Sequence, residues 1–202
     1  MPAPLLEARQ LTKRFPGVTA LRAVAFDLRA GEVHALCGEN GAGKSTLIKS
    51  LSGSVKPESG RILVNGRELT LGSVKASEAA GIAVIHQESV AFPHLNAQDN
   101  IFVGREPRVM GLLLDRSRMV KETRGLLERL GEHINPYKPV GELPMAQRQM
   151  VGMARALSQD CRLLIMDEPT ASLSTRETEV LFRIIRQLKS EGVSILDLSH
   201  RM

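Results

Sequence analysis

Tryptophan is missing and aromatics are scarce: one Tyr and five Phe make up 3% of the 202 residues. Base-stacking platforms need aromatic side chains, so the composition speaks against a single-strand nucleic-acid binder. Cysteine is almost absent. Cys37 and Cys161 lie far apart in apolar runs and form neither a metal-type nor a redox-type pair, so two buried, reduced thiols are expected. No run approaches the roughly 18 uninterrupted apolar residues of a membrane span. Residues 1–9 carry no apolar stretch suited to a secretion signal. Contact with a membrane is therefore expected to go through a partner. No block of like charge stands out either: 27 Lys and Arg are mixed with 22 Asp and Glu, for a net charge of +5. That balance reads as a solvated basic surface, compatible with a phosphate-rich ligand but not specific for one. Internal repeats, low-complexity segments and sustained heptads are all missing.

What is present suits one well-filled core: 43% of the residues are hydrophobic and 24% charged. The first third reads as strands and turns. Leu5–Leu11, Val24–Leu28 and Val33–Cys37 lean to β structure, punctuated by Pro16-Gly17 and Ala30-Gly31. A helix is predicted over Ser45–Ser52, closed by Gly53. Arg61–Val64 is a predicted strand before an Asn65-Gly66 turn. A short helix over Ser73–Ala80 stops at Gly81, and Ile82–Ile85 fits a buried parallel strand. From about 89 to 159 the character changes. Several prolines frame an amphipathic helix over Ser117–Leu130, and another helix runs from Met145 to Leu157, so this stretch reads as a helical insertion. Leu163–Met166 is a buried strand. Ser174 and Glu177 predict a capping box for a helix reaching Ser190, and Val193–Leu198 is a last strand. Strands alternating with helices give an α/β fold with a mainly parallel sheet.

Two motifs carry chemistry. Gly38-Glu39-Asn40-Gly41-Ala42-Gly43-Lys44-Ser45-Thr46 fits G-x-x-x-x-G-K-[ST], between a predicted strand and a predicted helix. Glycines let the backbone wrap a phosphate, and N–H groups and the helix N-terminus point at the anion. Lys44 would reach the β- and γ-phosphates, Ser45 would complete a Mg²⁺ shell, and Thr46 would bond the α-phosphate. The second motif is Leu163-Leu164-Ile165-Met166 followed by Asp167-Glu168. That strand is expected beside the one leading into the phosphate loop. Asp167 would then hold Mg²⁺ through water, and Glu168 would polarise an attacking water.

With these two in place, the whole chain resembles the ATP-binding cassette ATPases, motif after motif in the family's order. The resemblance implies that Phe15 stacks on adenine. It implies that Gln87, in His86-Gln87-Glu88, touches Mg²⁺ or water and senses a membrane partner. Leu143-Pro144-Met145-Ala146-Gln147 occupies the signature position, Ala171-Ser172-Leu173-Ser174 the D-loop, and His200 that of the switch histidine. It also implies a P-loop NTPase fold over 1–202, with a core at about 1–88 and 160–202, N-terminal antiparallel strands, and a helical subdomain at about 89–159. Phe15-Pro16-Gly17-Val18, the segment from Asn100 to Pro107, and Ser199-His200-Arg201-Met202 resemble the sugar-importer members. The implied protein is a peripheral ATPase at the cytoplasmic face of the cell membrane. Its implied partners are permease subunits, a second cassette and, indirectly, a sugar-binding protein, with no nucleic acid. Cassettes of this group usually come in tandem, so the sequence reads as an N-terminal fragment or a truncated product.

Two positions depart from the family pattern. Pro144 and Ala146 stand where a Ser hydroxyl and a Gly backbone normally meet the γ-phosphate across the dimer. Proline lacks hydroxyl and N–H, although it suits a first helical turn. A weakened but usable composite site is expected. Asp197 replaces an aromatic or apolar residue, and a buried unpaired carboxylate there would be costly. Substitution by Tyr is expected to raise thermal stability if Asp197 is a misfit. Two other readings stay open: a nucleotide-binding half with little turnover, and a soluble cassette ATPase outside transport.

Overall fold

The computed structural model describes residues 3–39, 41–85, 92–170 and 173–198. The chain divides into two compact units. One comprises Met1–Val84, Cys161–Pro169 and Ile185–Met202, the other Ile85–Asp160 and Thr170–Ile184.

In the first unit β1 (Leu6–Phe15) and β2 (Val18–Leu28) form an antiparallel hairpin, both longer than the apolar runs alone predict. β4 (Ser59–Val64) joins β1, and β5 (Arg67–Glu68) joins β4 across the Asn65-Gly66 turn, giving the order β2-β1-β4-β5. A second sheet has the order β3 (Val33–Leu36), β10 (Ser194–Leu198), β9 (Leu163–Asp167), β6 (Ile82–Ile85). The pairs β3–β10 and β10–β9 are parallel. Side chains alternate across a strand. Leu196 and Leu198 of β10 and Leu163 and Ile165 of β9 therefore enter one apolar cluster with Leu47, Ile48 and Leu51 of α1 (Lys44–Leu51) and with Leu6, Leu11 and Ile62 of the antiparallel sheet. Each such leucine contributes about 1.5–3 kcal/mol by burial. α2 (Val74–Ala79) is capped by Ser73, which accepts from the Ala76 N–H at 3.2 Å.

One sequence expectation fails here. The carboxylate strand does not lie beside the phosphate-loop strand: β10 is inserted between β3 and β9 and hydrogen-bonds both. Apolar patterning reports that a strand is buried on both faces, not which neighbour it takes. The thiols also differ from expectation. Cys37 is exposed, just past the end of β3, and Cys161 is half-buried.

The second unit is built on three helices: α3 (Ala97–Phe102), α4 (Arg116–Arg129) and α5 (Met145–Leu157). They bury Ile101 and Phe102 of α3, Met119 and Leu127 of α4, and Met150, Met153 and Ala154 of α5. The short helix α3, which has no clear apolar period, begins at Asn96, whose side chain accepts from the Asp99 N–H at 2.9 Å. A small hairpin of β7 (Arg108–Val109) and β8 (Leu113–Leu114) precedes α4. The helix α6 (Thr175–Ser190) is shared in sequence, its residues to Ile184 counted with the second unit and those from Ile185 with the first, and it buries Leu181, Ile184, Ile185 and Leu188 at helical spacing. Its predicted capping box is formed: Ser174 N–H and Oγ both donate to Glu177 Oε2, at 2.8 and 2.6 Å. The Ser174 hydroxyl, and then its N–H, hold the Glu177 carboxyl below the usual range.

Candidate phosphate-binding site

The site grows from the carboxyl end of β3. Gly41 and Gly43 take φ of 83° and 88°, in the left-handed region that favours glycine. At Gly43, which caps α1, a Cβ would come within 2.4 Å of the Ala20 carbonyl oxygen. The chain can therefore turn from strand into helix there only without a side chain. No acidic residue stands in the first turn of α1, so the positive end of that helix is not offset from within the helix. Lys44 is only 7% exposed. Its ammonium donates to the Gly38 carbonyl at 2.5 Å and to that of Glu39 at 2.9 Å, which arches the loop around the side chain. An ammonium has three N–H groups, so a third can meet an anion. Ser45 is exposed and Thr46 half-buried at the start of the helix. Asn40 lies outside the described residues.

The carboxylates stand at the same end of the same sheet. Leu36, Leu198 and Asp167 form one row across β3, β10 and β9. With strands about 4.8 Å apart, the inserted strand sets Asp167 roughly 10 Å from the base of the loop. Ligands of open α/β sheets bind in a crevice of this kind, beyond the strands' carboxyl ends. Asp167 is half-buried. Glu168 follows with φ of 48°, rare for a residue with a side chain, and its N–H donates to the Leu198 carbonyl at 3.2 Å. Strain of this type clusters at functional sites.

The donor set suits Mg²⁺. The Ser45 hydroxyl and the Asp167 carboxylate are hard oxygen donors at one end of the sheet. Among the described residues no group of three or more His, Cys, Asp or Glu forms a closed metal cage. Mg²⁺ fits such an open set because it keeps waters and takes substrate phosphate oxygens as its other ligands.

The other predicted residues are distributed as follows. Phe15 ends β1 opposite Val18 and is 41% exposed, with Lys13 Nζ 5.3 Å from its ring centroid. Gln87 and His200 lie outside the described residues. In the second unit Pro144 caps α5 with no side-chain hydrogen bond, and Ala146 and Gln147 sit in the helix's first turn. Sequence reasoning missed what holds that turn. Arg148 donates from Nε to the Leu143 carbonyl at 2.8 Å and from Nη2 to that of Gly141 at 2.6 Å. It also missed Asn100, whose buried amide donates to the carbonyls of Phe92, Leu95 and Asn96. Both act by donating to backbone carbonyls, partners that no residue type in the sequence marks. Asp197, on the face of β10 away from the cluster, has a buried Oδ1 without a hydrogen-bond partner. Burial pushes its carboxyl above the ordinary value.

A strand–glycine loop–helix with carboxylates across a parallel sheet defines a nucleotide-binding cassette, and comparison with known proteins agrees. The chain belongs to the ABC transporter family, whose sequence model matches residues 21–171. It is 53% identical over 198 residues to a protein described as a ribose/galactose/methyl galactoside import ATP-binding protein from Agrobacterium fabrum, covering 98% of this chain and 39% of that protein. It is 52% identical over 199 residues to the ribose import ATP-binding protein RbsA 1 of Rubrobacter xylanophilus, covering 98% and 40%. The chain thus spans about two fifths of the length of these relatives. Among solved structures, a nucleotide-free ATP-binding cassette from an ABC transporter superposes with a TM-score of 0.87 at 25% identity, covering 98% of this chain and 82% of that one.

Proposed function

We propose that the chain is the ATP-binding and ATP-hydrolysing part of an importer of carbohydrate, working from the cytoplasmic face of the membrane on permease subunits. The observation that carries this reading is the row Leu36–Leu198–Asp167. It sets the phosphate loop and the Asp167-Glu168 pair at one end of one sheet. The class of cargo rests on the names of the relatives, ribose and galactose among them.

The proposed division of labour takes the phosphate loop and the carboxylates from their places on the sheet, and the roles of Asn40, Gln87, His200, Phe15 and the signature turn from the family pattern. The loop N–H groups and the third N–H of Lys44 bind and orient the triphosphate. Ser45, and Asp167 through water, would hold Mg²⁺, with Gln87 as a further contact. When bound, Mg²⁺ neutralises charge on the phosphoryl oxygens. Thr46 adds a bond to the α-phosphate, Asn40 and the loop glycines shape the cradle, and Phe15 stacks on adenine. Glu168 takes a proton from the attacking water as the new P–O bond forms and the bridging bond to the γ-phosphorus breaks. His200 holds the γ-phosphate. The helical subdomain at about 89–159 offers its signature turn, Pro144, Ala146 and Gln147, to the nucleotide of a second cassette. Closure and reopening of that pair would move the permease.

The test is purification from native membranes with a tagged chain. Recovery of a multi-span permease, with ATP turnover lost in Glu168→Gln, supports the reading. Recovery only from the soluble fraction without such a partner contradicts the transport role. A second reading, a nucleotide-binding half with little turnover, draws on the capping position of Pro144, where no side-chain donor is present. Mg²⁺-ATP binding without hydrolysis by the assembled transporter would favour it.

A further inference from the structure

The hairpin between α3 and α4 ends in a tip that has no polar side chain. Val109 faces Leu113 and Arg108 faces Leu114 across the two strands, and the Asp115 N–H closes the base on the Pro107 carbonyl at 2.8 Å. Met110, Leu112 and Leu113 are 93%, 83% and 72% exposed, and Val109 and Leu114 are exposed beside them. Met110 holds φ at 51° and Gly111 follows at 75°. Methionine seldom takes the left-handed conformation, which Asn or Gly would enter with less strain. The turn therefore presents an aliphatic side chain at its outermost position against local preference. A contiguous set of five exposed aliphatic residues is also unusual for a loop that faces water.

The net charge around this tip is positive. Between 105 and 124 stand six basic residues (Arg105, Arg108, Arg116, Arg118, Lys121, Arg124) and three acidic ones (Glu106, Asp115, Glu122), a net +3 of the chain's +5. Arg116 and Arg118 stay exposed even while pairing with Asp99 and Glu122.

We propose that this hairpin is a membrane-contact element. Met110, Leu112 and Leu113 enter the headgroup–acyl boundary of an anionic lipid surface, and the arginines at its base meet lipid phosphates. Aliphatic side chains flanked by cations match that boundary. Between 105 and 124 there is no Trp or Tyr of the kind that commonly anchors a protein interface. At headgroup depth water still satisfies the turn's backbone groups, so a hairpin too short to span a bilayer can rest there. The inference does not depend on nucleotide hydrolysis.

The test is flotation of the full chain with vesicles of phosphatidylcholine alone, or of phosphatidylcholine mixed with phosphatidylglycerol. The wild type is expected to bind the phosphatidylglycerol vesicles at least about tenfold more tightly. The double variant Leu112→Asp/Leu113→Asp should lose that binding about tenfold or more, with melting temperature and ATP affinity unchanged. Met110→Gln, a milder change at the most exposed position, should show a partial loss and guards against misfolding of the double variant. No vesicle binding by the wild type, or binding that the leucine and methionine changes leave intact, overturns the proposal. So does loss of a co-purifying permease with vesicle binding preserved, which would make the hairpin a protein-docking element.

Discussion

Glu168 and Asp197 are both carboxylates at unusual positions, and physical chemistry assigns them opposite consequences. Glu168 sits in the left-handed region directly after Asp167. A general base contributes about 10²–10⁴-fold to rate. Glu168→Gln is therefore expected to keep ATP affinity within about twofold while phosphate release falls by at least about 10²-fold. Retained turnover would remove it from that role. Asp197 has its carboxyl raised from 3.8 by burial. Below that ordinary value the folded and unfolded states are both protonated and the group carries no penalty. As pH rises past it, the unfolded chain ionises first, and stability falls until the folded carboxyl ionises as well. Asp197→Asn is accordingly expected to raise the melting temperature at pH 7 by roughly 2–4 °C, with the gain shrinking as pH falls toward the ordinary value. A lower melting temperature at pH 7 would mean that the carboxylate is satisfied. The sequence alone exposed both residues, because an acid after an apolar strand, or within one, is conspicuous. It did not show Arg148 and Asn100 as positioning groups, since their bonds run to backbone carbonyls, which carry no residue signature.

Individual elements divide by how much of their cause is local. α4, α5 and α6 were legible because their apolar residues recur at helical spacing, and the Ser174–Glu177 cap marks its own helix. α3 and the β7–β8 hairpin were not: six residues are too few for a period to emerge, and the hairpin's Met110 contradicts turn preference. The order β3-β10-β9 was misread because strand adjacency is a tertiary fact. At the loop, Gly41 and Gly43 separate two effects. Gly41 has open space, so Gly41→Ala should cost only the left-handed penalty of about 1–2 kcal/mol. Gly43→Ala adds a collision with the Ala20 carbonyl and should cost distinctly more, with loss of nucleotide binding. Denaturant midpoints of the two variants measure the difference, and equal costs would contradict the packing described. At α5, Pro144→Ser restores a side-chain cap and a hydroxyl. In the proposed transporter, ATPase activity is expected to rise, and an unchanged rate would show that the proline is no handicap.

At the scale of the molecule, the family was legible because several motifs follow one another in its order, and the match over residues 21–171 bears out the family. The first unit carries the glycine loop and the carboxylates at one end of one sheet, while the second carries Pro144 and Ala146, the proposed signature turn, at the head of α5. The sequence does not name a cargo for the proposed importer, because every motif in it points to the nucleotide. The central claim, that the loop around Lys44 binds the phosphates of ATP, is tested most directly by calorimetric titration of Mg²⁺-ATP into the wild-type chain and into Lys44→Ala. Saturable binding by the wild type, weakened by at least about 10²-fold in the variant, is the expected result. Equal affinity of the two chains, or no binding by either, would contradict the account.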